Sequence, residues 1–131
     1  MLKGSCLCGG ISYEVEGDID TVIQCHCKKC RKASGTAYGT NAPIPAASFN
    51  LLTGRDTLGK FMSTPDLARY FCRNCGSPIY SQRISMPEVM RLRIGSLDTP
   101  ISVKPAFHIY VGSKAEWDDI HDDLPQHLDR P

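Results

Sequence analysis

The chain has 131 residues, 41% of them hydrophobic and 22% charged, with a formal net charge of +1. That length suits one domain around a modest core, and the composition is ordinary for a soluble globular protein. No run approaches the length of a membrane span, the start MLKGSCLCGG lacks the apolar stretch of a secretory signal, and a charge near zero gives no argument for nucleic acid.

In chain order, residues 11–16 (ISYEVE) alternate apolar and polar types and read as a half-buried strand. Gly17 and Asp18 mark a turn, and residues 20–25 (DTVIQC) read as the returning strand, with Cys25 at its end. ASGTAYGTNAPIP leaves the next cysteines through small residues and enters another short strand. SFNLLTG is a further strand, closed by a glycine turn. TLGKFMS and ARYFC predict a hairpin around Thr64, Pro65 and Asp66, whose second arm ends on Cys72. PIYSQRI, VMRLRIG and FHIYVG are the last strands, and in VMRLRIG the apolar Met90, Leu92 and Ile94 alternate with Arg91 and Arg93. No segment carries a long helical period, and 11 glycines with 9 prolines fit short strands joined by turns. The tail from Ser113 is acidic, with Trp117, Ile120 and Leu124 as anchors over the sheets. The expectation is one mainly β domain spanning 1–131.

Seven cysteines fall in three groups: Cys6/Cys8, Cys25/Cys27/Cys30 and Cys72/Cys75. Their number is odd, and C-x-C spacing strains a disulfide, so metal ligation in a reducing cytoplasm is the reading to test. In extended chain, residues i and i+2 point to one side. Cys25 and Cys27 can then face one metal while His26 points away. C-x2-C, in CKKC and CRNCG, is the common zinc-knuckle spacing, and Gly76 suits the knuckle's tight turn. Two divisions are open. Cys6/Cys8 with Cys72/Cys75 makes a closed four-thiolate structural site and leaves Cys25/Cys27/Cys30 as a three-thiolate site. Alternatively, Cys27/Cys30 face Cys72/Cys75 and three cysteines are stranded. The first uses every cysteine. Its three-ligand site keeps a position open, the pattern of catalytic zinc, unless Asp66, Glu88, Asp98, His108 or Asp118 fills it.

An open three-thiolate zinc suits a soft fourth ligand, and a small thiol is the obvious one. Coordination favours its thiolate, which can add to an aldehyde or leave in the reverse step. Lys28, Lys29, Arg31 and Lys32 surround this cluster and are candidates to attract a thiol carrying carboxylates.

GSCLCGG at 4–10, CHCKKCRKASG at 25–35, RYFCRNCGSPIY at 69–80 and HIYVGSKAEWDDIHDDLP at 108–125 together resemble the glutathione-dependent formaldehyde-activating enzyme family, also called the centromere-protein-V/Gfa type. The resemblance runs through nearly the whole chain. It implies the Mss4-like fold of small antiparallel sheets. It matches Cys6, Cys8, Cys72 and Cys75 to structural-zinc ligands, and Cys25, Cys27 and Cys30 to catalytic-zinc ligands. The activity implied is carbon–sulfur lyase, with two zinc ions as cofactors: glutathione or a similar thiol joined to an aldehyde such as formaldehyde, or the reverse. The competing expectation is a non-catalytic, zinc-stabilised binding module for a protein or nucleic-acid partner.

Overall fold

The computed structural model describes residues 1–131. Its strands are β1 (Leu2–Ser5), β2 (Ser12–Val15), β3 (Val22–Cys25), β4 (Gly39–Pro45), β5 (Phe49–Thr53), β6 (Leu58–Met62), β7 (Leu67–Cys72), β8 (Pro78–Arg83), β9 (Met86–Arg93) and β10 (Pro105–Ile109). One helix, α1 (Lys28–Ser34), and four short 3-10 turns complete the elements. The strands form a three-stranded sheet in the order β1-β2-β5 and a seven-stranded sheet in the order β10-β3-β4-β9-β8-β7-β6. Every pairing is antiparallel except β10 on β3.

The core lies between the sheets. Leu2, Tyr13 and Val15 enter it from the small sheet; Val22, Ala42, Ile44, Met90 and Leu92 enter it from the large one. Strand alternation decides this. In β9, Met90 and Leu92 are 4% and 0% exposed, so Arg91 and Arg93 must point to the opposite face of the sheet. One face of the seven-stranded sheet is therefore apolar and covered, and the other is polar and carries arginine.

The β6–β7 hairpin forms as expected, and its second arm delivers Cys72. The β2–β3 hairpin does not. After Gly17 (φ +82°) the chain crosses over, and β2 and β3 join different sheets. Both then feed one core, which buries more of Tyr13, Val15 and Val22 than a solvated hairpin would. Helix α1 was not expected. With seven residues and only Cys30 buried, it has no apolar stripe to read. Beyond Ser113 the chain forms no strand, as expected. Its end runs along the outer edge of β10, where His108 N–H donates to the Pro125 carbonyl at 2.9 Å and His127 N–H to the His108 carbonyl at 3.0 Å. Trp117 anchors nothing, being 67% exposed, whereas Ile120 and Leu124 are half-buried.

Candidate metal centres and the adjoining cavity

Two loops converge to bring Cys6 and Cys8 onto Cys72 and Cys75. The first connects β1 to β2 and is closed by Gly9 N–H donating to the Cys6 carbonyl, with Gly9 at φ +78°. The second connects β7 to β8, where Gly76 (φ +80°) lets its own N–H reach the Cys72 carbonyl at 2.8 Å. Leu7 N–H donates to Ser77 Oγ at 2.8 Å and ties the loops together. The four sulfurs lie within 4.8 Å of one another. Cys6 Sγ and Cys8 Sγ are 3.5 Å apart, and Cys8 Sγ and Cys72 Sγ 3.8 Å. All seven cysteines are free. A tetrahedron of sulfurs about 2.3 Å from a zinc ion has edges of about 3.8 Å, so the four side chains fit that ion as they stand.

The surroundings favour thiolates at two of these positions. The Asn74 side chain, the Gly10 N–H and the Cys6 thiol hold Cys8 below the usual thiol range. The Ser77 hydroxyl and N–H bring Cys75 down to about 5, while burial pushes Cys72 up to about 11.

The second centre starts at the end of β3. Cys25 is buried there, Cys27 caps α1 by accepting the Cys30 N–H at 3.2 Å, and Cys30 is buried in the first turn. These three sulfurs also lie within 4.8 Å of one another, and no histidine, aspartate or glutamate joins the group. Contacts with the side chains of Cys25 and Cys30 hold Cys27 far below the usual thiol range. The same contacts, with burial, push Cys25 upward. The donor set is soft and anionic, which fits zinc. Of the alternative fourth ligands, Asp66 bonds Ser85 and Arg83, Asp98 bonds Ser5, and His108 bonds His26 and Asp122. His26 is buried and turned away from the sulfurs; Tyr38 stacks on its ring at 5.1 Å.

The three-cysteine cluster opens on a cavity of about 430 Å³ whose floor is the arginine-bearing face of the large sheet. Register explains its lining. Arg69, Ser81, Arg91 and Pro43 stand in one row across β7, β8, β9 and β4. Arg93, Asn41, Ile23 and Phe107 form the next row, across β9, β4, β3 and β10. Arg69 Nη2 donates to Cys30 Sγ at 3.8 Å. Burial lowers Arg93 to about 10, still a full cation at neutral pH, and draws Arg91 down in the same way.

Of the basic residues singled out in the sequence, Lys29 lines this cavity; Lys28, Arg31 and Lys32 lie along α1 outside its lining. Of the five arginines that do line it, four come from β7, β8 and β9 and Arg130 comes from the tail. The alternation of VMRLRIG had marked two of them, Arg91 and Arg93, as polar-face residues, but only pairing with β4 and β8 sets them opposite the cysteines. The structure also joins His26 to His108 and Asp122, a link that a sequence separation of 82 positions conceals.

This is a mainly β chain with two thiol clusters, one closed and one bordering a cationic cavity, each of which could hold a metal ion in the manner of a zinc knuckle. The profile of the glutathione-dependent formaldehyde-activating enzymes matches residues 1–113. The chain belongs to that family. It is 25% identical over 128 residues to a Halomonas elongata protein provisionally named a glutathione-dependent formaldehyde-activating enzyme, covering 92% of this chain and 81% of that one. It is 27% identical over 78 residues to an uncharacterised lyase of Schizosaccharomyces pombe, covering 60% and 55% respectively. A crystal structure of a Rhodobacter sphaeroides protein superposes with a TM-score of 0.65 at 25% identity, over 76% of this chain and 91% of that one. No helix is long and apolar enough to cross a membrane.

Proposed function

We propose that residues 1–131 act as one Mss4-like unit and as a zinc-dependent carbon–sulfur lyase. It joins glutathione or a similar small thiol to an aldehyde such as formaldehyde, or splits the S-hydroxymethyl adduct. In this reading Cys6, Cys8, Cys72 and Cys75 hold a structural zinc, and Cys25, Cys27 and Cys30 hold a catalytic one. The observation that carries it is the gathering of three sulfurs, with no fourth protein ligand, in the wall of a cationic cavity. The family match and the lyase among its relatives point the same way. Seven free thiols suit a reducing compartment such as the cytoplasm.

Zinc held by the three cysteines supplies an open position that favours the deprotonated form of a thiol. The chain's own residues do the rest. Arg69, beside Cys30, offsets the negative charge of the cluster. Arg91 and Arg93 hold the anionic ends of the thiol. Ile23, Phe107 and Ile109 wall the cavity and reduce access of water. Lys28, Arg31 and Lys32 add to the field that draws an anion in. Confining thiol and carbonyl in about 430 Å³ turns their encounter into an intramolecular event. The reaction forms one carbon–sulfur bond, and the thiol proton ends on the carbonyl oxygen, so no oxidant or reductant is needed.

X-ray absorption at the zinc edge tests this on protein loaded with two equivalents of zinc. Adding glutathione should raise the sulfur coordination averaged over both zinc ions from about 3.5 to about 4, and formaldehyde should then be consumed. If no small thiol changes the coordination, the lyase reading falls and a zinc-stabilised binding module takes its place.

A further inference from the structure

The cavity beside the three cysteines is lined by Arg69, Arg83, Arg91, Arg93, Arg130 and Lys29, and by no aspartate or glutamate. Only Arg83 has an acidic partner, Asp66, at 3.6 Å. Three thiolates on a divalent metal would leave that centre at −1. Even so, at least three cations in the cavity stay uncompensated. The chain as a whole is only +1, so this charge is concentrated rather than general.

Two further observations accord with a ligand among these cations. Arg69 Nη1 and Arg83 Nε are buried without a hydrogen-bond partner, although buried donors are paired almost everywhere in folded proteins. Asn41 Oδ1, in the row with Arg93, is a buried acceptor without a partner, which a ligand's amide N–H would satisfy. Moreover, Arg69 on β7 and Arg91 on β9 are separated by β8. Two strand spacings put their backbones about 10 Å apart, a separation that serves two anionic groups of one ligand better than a single one.

We infer that this site selects a thiol bearing at least two anionic groups and no ammonium group. Glutathione carries two carboxylates but also an ammonium, for which the cavity offers no carboxylate side chain. An ammonium here is desolvated among cations and repelled by them. The inference rests on the lyase reading for what happens at sulfur, and deepens it by naming the charge pattern of the substrate.

Three peptides separate the two claims in calorimetric titrations of zinc-loaded protein: glutathione, glutaryl-cysteinyl-glycine, which differs from it only in lacking the ammonium, and glutaryl-alanyl-glycine, which lacks the sulfur too. Glutaryl-cysteinyl-glycine should bind about tenfold or more tighter than glutathione, the scale of one unpaired charge in a partly screened site. The margin should shrink with salt. Glutaryl-alanyl-glycine should bind more weakly yet measurably, and Arg91→Gln with Arg93→Gln should weaken both glutaryl peptides about tenfold or more without altering zinc content. Equal or tighter binding of glutathione, or indifference of the glutaryl peptides to the arginine changes, overturns the inference and leaves the lyase reading standing. Arginine-dependent binding of both glutaryl peptides with equal affinity supports the anion site and removes the lyase reading instead.

Discussion

His26 Nε2 lies 2.9 Å from His108 Nδ1, and His108 Nε2 lies 3.0 Å from both carboxylate oxygens of Asp122. A carboxylate only accepts, so with both rings neutral His108 donates from Nε2 and accepts at Nδ1 from His26. The chain of contacts ties the loop between Cys25 and Cys27 to β10 and then to the acidic tail. Burial works against the charged form of Asp122, yet the His108 bond and the Leu124 N–H hold its carboxyl below the usual range. His108→Ala should therefore do more than open a cavity, since it strands the buried Nε2–H of His26. A loss of about 2–4 kcal/mol is expected from an orphaned donor plus lost packing. Thermal melts should show it, and hydrogen exchange should rise along residues 118–127. Asp122→Asn, on the exposed end of the relay, should lose less than half as much.

Gly4 pairs with Tyr13 across β1 and β2, and a methyl at Gly4 would collide with Cζ and the hydroxyl oxygen of Tyr13. The ring is fully buried, stacks on Phe49 at 5.0 Å and bonds Ser96 Oγ at 2.7 Å, so it has nowhere to move. Gly4→Ala should destabilise by about 1–3 kcal/mol, the range for an overpacked core. Chemical denaturation should show a lower midpoint at unchanged slope. The double change Gly4→Ala with Tyr13→Phe should not rescue it, because the ring carbon Cζ crowds the added methyl as closely as the hydroxyl does.

How much of this was legible follows from the range of each interaction. The strands that alternate sharply, such as VMRLRIG, were readable because burial on one face writes a period of two into the sequence. Helix α1 was not, since its local logic is a cysteine cap and a glycine exit rather than an apolar stripe. The parallel pairing of β10 with β3 joins segments more than 80 residues apart and leaves no local trace. The same holds at the site. Cysteine spacing pointed to two clusters, whereas Arg69 and Arg91 become neighbours of Cys30 only through the register of three strands. The basic residues adjacent in sequence were the visible choice, and α1 carries most of them outside the cavity lining.

Alkaline titration gives an independent reading of the core. Burial pushes Tyr13 and Tyr80 up to about 12 each, so both stay protonated in the folded chain where exposed tyrosines ionise near 10. A raised folded value means that the stabilisation is complete below pH 10 and is lost as pH rises toward 12. Absorbance at 295 nm should show a late step from two of the five tyrosines, Tyr13 and Tyr80. These two should ionise together with the loss of structure seen by circular dichroism. Tyr13→Phe should remove one of the late ionisations. If all five titrate in one step near pH 10 with structure intact, the burial of these two rings is not the solution state.

The two thiol clusters should come apart in a fixed order. Cys6 and Cys8 hang from the small sheet and Cys72 and Cys75 from the large one, so a metal among the four clamps the sheets together. Structural zinc contributes on the order of 10 kcal/mol of apparent binding free energy to a small fold. Cys25, Cys27 and Cys30 lie within six residues and clamp nothing distant. With one ligand fewer, they should yield their metal first. Elemental analysis during chelator titration should show two zinc ions lost in separate steps, with circular dichroism unchanged after the first and collapsing with the second. Cys30→Ala should abolish the first step and leave the melting temperature within a few degrees of the parent. Cys72→Ala should lower the melting temperature by at least 10 °C, or prevent folding, because opening the clamp removes several kcal/mol and each one shifts a domain of this size by roughly 4 °C. Equal losses from the two substitutions, or a single zinc released in one step, would contradict the division of four and three.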